Sequence, residues 1–274
     1  HGMYRGQWYG FEGAPSSQQI GLDLPIGKTK MSIAANASHH KIGIEQDLIG
    51  NLAYSYALVQ TATTRISLGI DGGYRQYNYD FTNPMLYVRD GTGTDASILT
   101  NDTKKFGKGN IGAGLQIAYK GFYMGISSPN LIENHLGLLK NEAGQKRHIY
   151  GMIGGLFPLS STLDLRPSAS VRYVDNAPLS IDANLSIMFR KRVTLGASYR
   201  MDSNVKRESI DALMYLQLND RLGLGVSYDY TLSMLNKYNK GSVEVILRYD
   251  FGQSNENGGT PGNTGNMDNP RFFF

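Results

Sequence analysis

Between residues 222 and 230 the chain alternates without a break. Leu222, Leu224, Val226, Tyr228 and Tyr230 fall on one side, and Gly223, Gly225, Ser227 and Asp229 on the other. A β-strand sends successive side chains to opposite faces, so this stretch predicts one apolar face and one wet face. The same period sets Val193, Leu195, Ala197, Tyr199 and Met201 against Thr194, Gly196, Ser198 and Arg200. It also sets Leu179, Ile181, Ala183, Leu185 and Ile187 against Ser180, Asp182, Asn184 and Ser186. Alternation and turn residues together predict fourteen strands, at 3–10, 17–25, 30–38, 49–59, 65–79, 111–119, 122–129, 148–157, 162–174, 179–189, 192–201, 209–218, 221–230 and 242–251.

The connections alternate as well. Every second one is tight: 25–29, 60–64, Lys120 and Gly121, 158–161, Lys191, and Asn219 and Asp220. Between them lie longer segments at 38–48, 80–110, 130–147, 202–208 and 231–241, with 175–178 a short exception. An even strand number with short turns on one side and long loops on the other is the arrangement of a bacterial outer-membrane barrel. The polar face carries Asp71, Arg75, Asp164, Arg166, Arg172, Asp182, Arg200, Asp211, Asp229, Glu244 and Arg248 within strands. A soluble two-sheet sandwich could turn such residues to water instead. Aromatic residues at strand ends, among them Tyr119, Tyr173, Tyr199, Tyr230, Tyr249 and Phe251, resemble an interfacial girdle and favour the membrane. The expected fold is therefore an all-β, fourteen-stranded antiparallel transmembrane barrel over 1–251.

Composition agrees. The charged fraction is 18%, with 33 Gly and 18 Tyr in 274 residues, which suits a glycine- and tyrosine-rich sheet. Mean hydropathy is −0.32, and no window approaches the roughly 20 apolar residues of a membrane helix. Barrel strands alternate, so their averaged hydropathy stays low. The absence of cysteine removes thiol nucleophiles and thiolate metal sites. The net charge of +4 is scattered rather than gathered, which gives no nucleic-acid footprint. The chain opens at His1 with no basic n-region and apolar h-region, so export is inferred from the barrel rather than from a leader.

Beyond Phe251 the pattern stops. Residues 252–274 begin as a Gly/Asn-rich linker and finish in Asn269, Pro270, Arg271, Phe272, Phe273 and Phe274. If both termini are periplasmic this tail hangs in the periplasm. Arg271 with the three phenylalanines then forms a candidate docking peptide for a partner; the alternative is an assembly signal, although Phe251 already supplies a terminal aromatic.

Other constellations are weaker. His39 and His40 with Glu45 and Asp47 could suggest a metal site, but adjacent residues on an extended chain point oppositely, and a polar outer loop is the better reading. Asp90 to Asp95 lacks the spacing and closing Glu of a calcium loop. No nucleophile elbow is present, so neither catalysis nor a cofactor is expected. The mixed lumen charges leave two possibilities: an unselective channel, or pairs that stabilise the wall.

The two ends carry a family match. Tyr4, Arg5, Gln7 and Trp8, followed by Gly13, Ala14 and Pro15, resemble the Tyr-Arg-x-Gln-Trp…Gly-Ala-Pro signature of the PorP/SprF family of the bacterial type IX secretion system. Similar blocks follow at Lys41-Ile42-Gly43, Asn176 to Ser180, Leu195 to Arg200, Tyr228 to Ser233 and Asn269 to Phe273. The resemblance implies a non-enzymatic outer-membrane component of Bacteroidota-type bacteria. It would support secretion and cell-surface attachment of large proteins or gliding adhesins, with other type IX components, a secreted surface protein or adhesin, and the lipid bilayer as partners. The segment 80–110 matches no family block, and a stand-alone diffusion channel or lipid-type transporter is the alternative function.

Overall fold

The computed structural model describes residues 1–27, 29–82, 103–135, 144–204 and 207–251. Its strands are β1 (Gly2–Gly6), β2 (Ser16–Pro25), β3 (Met31–Ile42), β4 (Glu45–Gln60), β5 (Thr64–Asp80), β6 (Thr103–Tyr119), β7 (Phe122–Ser128) and β8 (His148–Gly155). The second half is β9 (Leu163–Val174), β10 (Ser180–Phe189), β11 (Val193–Asp202), β12 (Arg207–Gln217), β13 (Leu222–Thr231) and β14 (Ser242–Tyr249). Phe157–Pro158 continues β8 beyond Leu156 along β9. Each strand pairs antiparallel with its sequence neighbours, and β1 also pairs with β14, from Gly2↔Leu247 to Gly6↔Val243. The fourteen strands therefore close into a barrel, and the barrel sheet has no free edge.

Burial separates the two faces. Leu185 and Leu195 are 54% and 56% exposed, whereas Asp182 and Ser186 on the other face are each 4% exposed. The apolar set points outward, as a wall against lipid requires. All eleven charged residues assigned to the polar face share the inward parity through the strand register. Exposed outward aromatics form two belts: Tyr119, Phe122, Phe189 and Tyr249 near the short turns, and Tyr4, Tyr74, Tyr173, Tyr228 and Tyr230 near the long loops. Amphipathic rings at both membrane boundaries are what the interface selects.

The short turns follow backbone chemistry. Lys120 and Gly121 both have positive φ, 44° and 90°, between the paired residues Tyr119 and Phe122. Two such residues in succession make the turn whose twist matches a β-hairpin. The glycine-tyrosine composition is explained inside the barrel. Tyr215 pairs with Gly225 and extends its ring across Gly223, where a side chain would collide with the phenol end.

Three boundaries differ from expectation. The first strand ends at Gly6 rather than residue 10, because Trp8 and Gly10 take φ of 50° and 91° and turn the chain back. The predicted loop 38–48 is instead a hairpin: β3 runs to Ile42, β4 starts at Glu45, and only Gly43 and Ile44 connect them. Likewise β6 begins at Thr103 rather than 111, with Tyr77↔Phe106 and Arg75↔Lys108 in register. Strands of 16 and 17 residues exceed the roughly 9 to 11 that cross a bilayer, so β4, β5 and β6 project beyond it. Both faces of such a projection can be polar, and the alternation that marks a membrane strand fades there.

Candidate functional site

Arg5 is the residue on which the barrel's seam converges. Strand β1 has only five residues, yet it must join β2 to β14, and its inward side chains are Met3 and Arg5. From there the Arg5 guanidinium reaches two neighbouring strands. Nη1 donates to Glu244 Oε2 on β14 at 3.2 Å, and Nη2 to Asp229 Oδ2 on β13 at 3.3 Å. Arg5, Asp229 and Glu244 keep 16%, 12% and 8% of their side-chain surfaces, which shields these charges from bulk water. With its amide oxygen turned inward, Gln7 accepts from Arg5 Nε at 2.8 Å.

The network continues round the wall. Asp211 lies directly opposite Asp229 on β12, and Ser198 Oγ donates to Asp211 at 2.8 Å. Arg200 Nε donates to Asp182 Oδ1 at 2.5 Å, and Arg172 approaches the same carboxylate at 3.7 Å. Three guanidiniums (Arg5, Arg172, Arg200) thus face four carboxylates (Asp182, Asp211, Asp229, Glu244) across β1 and β9 to β14. Like charges opposed across a strand pair, as at Asp211 and Asp229, destabilise unless cations sit between them. A cavity of about 30 Å³ lies among Arg5, Ser198, Arg200, Asp211 and Glu244, space on the order of two waters. The acids are held by guanidiniums and a hydroxyl, which makes the arrangement a brace for the wall.

A second inward cluster stands near the long loops. Asp47 pairs with Arg75, whose guanidinium also lies 4.6 Å from the Tyr77 ring centre. Tyr77, only 2% exposed, stacks on Phe106 at 5.1 Å, and Phe106 on Tyr79 at 6.0 Å. This cluster ties together the projecting ends of β4, β5 and β6.

The remaining signature residues organise the first loop. Tyr4 faces outward in the aromatic belt. Gln7 N donates to Pro15 O at 2.8 Å, and Ala14 N to Phe11 O at 3.2 Å, which closes the loop on itself. Gly13, at φ 73°, offers its carbonyl to Gly43 N of the β3–β4 hairpin at 2.9 Å. On the opposite side Tyr9 exchanges two backbone bonds with Lys240 and Gly241. Trp8 is half-buried just past β1, and its backbone N–H donates to Ser242 Oγ at 3.4 Å, so it belongs to the loop rather than to the strand. The structure therefore gathers Tyr4, Arg5, Gln7, Trp8, Gly13, Ala14 and Pro15 at the long-loop end of the closing seam.

His39 and His40 lie on a strand, not in an outer loop, and point to opposite faces; His40 Nδ1 lies 2.9 Å from Ser17 Oγ. Among the described residues no group of three His, Asp or Glu side chains is placed to hold a metal ion. Asn269, Pro270, Arg271, Phe272, Phe273 and Phe274 lie outside the described residues, as does the run from Asp90 to Asp95. Two residues of these clusters escaped the sequence-derived set of inward charges. Asp47 falls outside that set because the predicted fourth strand begins at 49, although extending its alternation back by two reaches it. Arg5 stood out only as a motif residue, although its parity with Met3 already turned it inward.

A closed barrel with an apolar outer wall, two aromatic belts and an ion-paired interior defines an outer-membrane β-barrel protein. The chain belongs to the family described as type IX secretion system membrane protein PorP/SprF, which it matches over residues 1–249. Among solved structures it is similar to the outer membrane protein Omp33 of Acinetobacter baumannii, at 7% identity and a TM-score of 0.50, covering 91% of this chain and 97% of that one. It is also similar to BamA of Haemophilus ducreyi lacking POTRA domains 1–3 (9% identity, TM-score 0.44, 90% and 70% covered) and to the KdgM porin (8%, 0.40, 92% and 99%). At such identities the Omp33 likeness speaks for the fold alone. No curated protein matches the sequence.

Proposed function

We propose that this outer-membrane protein is a non-enzymatic scaffold of the type IX apparatus, supporting secretion and cell-surface attachment of large proteins or gliding adhesins. The observation that carries the reading is the family match over 1–249 on a barrel whose two rims differ in loop length. Long loops face the cell exterior and meet the secreted protein. Short turns and both termini face the periplasm, where the tail 252–274 docks other secretion components through Asn269 to Phe274. Pairing of Arg5, Arg172 and Arg200 with lumen acids supports a braced wall over an unselective channel.

The test is a clean chromosomal deletion, complemented by the full chain or by a chain ending at Phe251, with the cell-surface proteome as readout. Loss of one or more large surface proteins on deletion, rescued only by the full chain, supports the scaffold and the tail. An unchanged surface proteome, together with a steady open conductance in planar bilayers, favours the diffusion channel instead.

A further inference from the structure

We propose that the short-turn rim carries a binding site for the headgroups of anionic phospholipids, built on the tribasic turn Arg190, Lys191 and Arg192. These residues connect β10 to β11, and all three are exposed. Their backbone is fixed from both sides. Arg190 N donates to Thr162 O at 2.7 Å, Arg192 N to Phe189 O at 3.0 Å, and Gln217 N to Arg192 O at 2.7 Å. Arg190 and Lys191 hold φ of 48° and 55°, so the three cations fan out from a tight, anchored bend. Among the described residues no carboxylate lies within ion-pair distance of any of them.

The position of the turn selects the ligand. The Arg190 guanidinium lies 5.1 Å from the ring centre of Phe189, an outward residue of the aromatic belt. Round the same rim Lys120 Nζ lies 5.3 Å from the ring centre of Tyr119, also in that belt. A cation resting on a lipid-facing ring has its stem at the hydrocarbon boundary and its charge at the level of the phosphates. The neighbouring turn brings the hydroxyls of Ser160 and Thr162, 3.4 Å apart, beside the backbone bond that anchors Arg190. These are donors of the kind that recognise a phosphodiester. In the described short turns and within three residues of them, Lys30, Arg221 and Lys120 add to the tribasic set, whereas the acids are Asp23, Asp164, Asp220 and Asp250, of which Asp23 lies 3.6 Å from His1 and Asp250 pairs with Arg248 at 3.2 Å. Basic residues at a membrane boundary attract anionic headgroups by charge, and guanidinium forks fit phosphate oxygens in pairs. The inference needs the barrel and its belt, and it stands whichever way the barrel faces.

The experiment uses the full chain in a nonionic detergent, with native mass spectrometry to count retained lipids and a titration to give affinities. The probes are short-chain phosphatidylglycerol, phosphatidylcholine of the same chain length, glycerol phosphate without acyl chains, and a polyglutamate peptide. Phosphatidylglycerol is expected to be retained well above phosphatidylcholine and above free glycerol phosphate. The triple variant R190Q/K191Q/R192Q is expected to lose affinity by on the order of 100-fold. The variant K237Q/K240Q, altered on the opposite rim, keeps wild-type affinity, and the shift between unheated and heated gel mobility confirms that each variant is a folded barrel. Equal retention of the two lipids, unchanged affinity in the folded triple variant, or binding of polyglutamate in place of lipid would each overturn the proposal.

Discussion

Arg5 donates to Glu244 at 3.2 Å across 239 positions of sequence, and this contact joins the first strand of the barrel to the last. Because Asp229 shares the same guanidinium, removing Arg5 leaves two shielded carboxylates unpaired. Breaking a buried ion pair from one side costs about 3–5 kcal/mol. Arg5→Leu is expected to lower the unfolding free energy of the barrel refolded into lipid, measured by urea titration, by that order. Adding Asp229→Asn and Glu244→Gln should recover much of the loss, since the orphaned charges are then gone. An additive further loss in the triple variant would show that Arg5 acts through packing alone.

Gly241 precedes β14 at φ 85°, and a methyl group there would strike the carbonyl oxygen of Asp229, which is backbone and cannot swing aside. Gly241→Ala is expected to cost about 1–3 kcal/mol from strain and clash. It should also loosen the first loop, because Gly241 O accepts from Tyr9 N at 2.9 Å. Faster amide hydrogen exchange at Tyr9 checks this.

Lys120 occupies a left-handed conformation that glycine or asparagine adopts more readily. Lys120→Asn is therefore expected to stabilise the β6–β7 hairpin by a part of the roughly 1–2 kcal/mol that the left-handed conformation costs. A raised urea midpoint is the sign; a lowered one would mean that the lysine's contact with Tyr119 outweighs its backbone strain.

Leu52 points outward from β4 and is 71% exposed, whereas Gln19 points into the lumen from β2. An arginine facing the bilayer midplane costs about 2–4 kcal/mol, and much less where it meets water or a polar wall. Leu52→Arg should fold into liposomes with a strongly reduced midpoint, and Gln19→Arg with little change. Equal effects at the two sites would contradict the assignment of faces.

Much of this was legible in the chain because the bilayer enforces it. Leu222 to Tyr230 alternates strictly, since one face meets hydrocarbon and the other a polar interior, and the strand number and lumen parity follow from repeats of that rule. Legibility ended where the bilayer ends. His39 to Lys41 and Lys104 to Lys108 form strands whose two faces are both free to be polar, so they resembled loops. The seam site was half visible: Asp229 and Glu244 fell on the inward face by parity, but their sharing of Arg5 depends on the last strand returning to the first. Closure of that kind is a long-range pairing, and no local pattern states which strands meet.

In the proposed orientation the closed barrel presents its long loops to the exterior of the outer membrane. The chain has no cysteine, so a single introduced thiol reports its own location. Met234, 82% exposed in the short 3-10 helix (Met234–Lys237) of the last long loop, marks one rim, and Lys191 marks the other. With a membrane-impermeant maleimide on intact cells, Met234→Cys is expected to label at once and Lys191→Cys only after the outer membrane is opened. Labelling of Lys191→Cys in intact cells, with Met234→Cys protected or no different, would contradict the account.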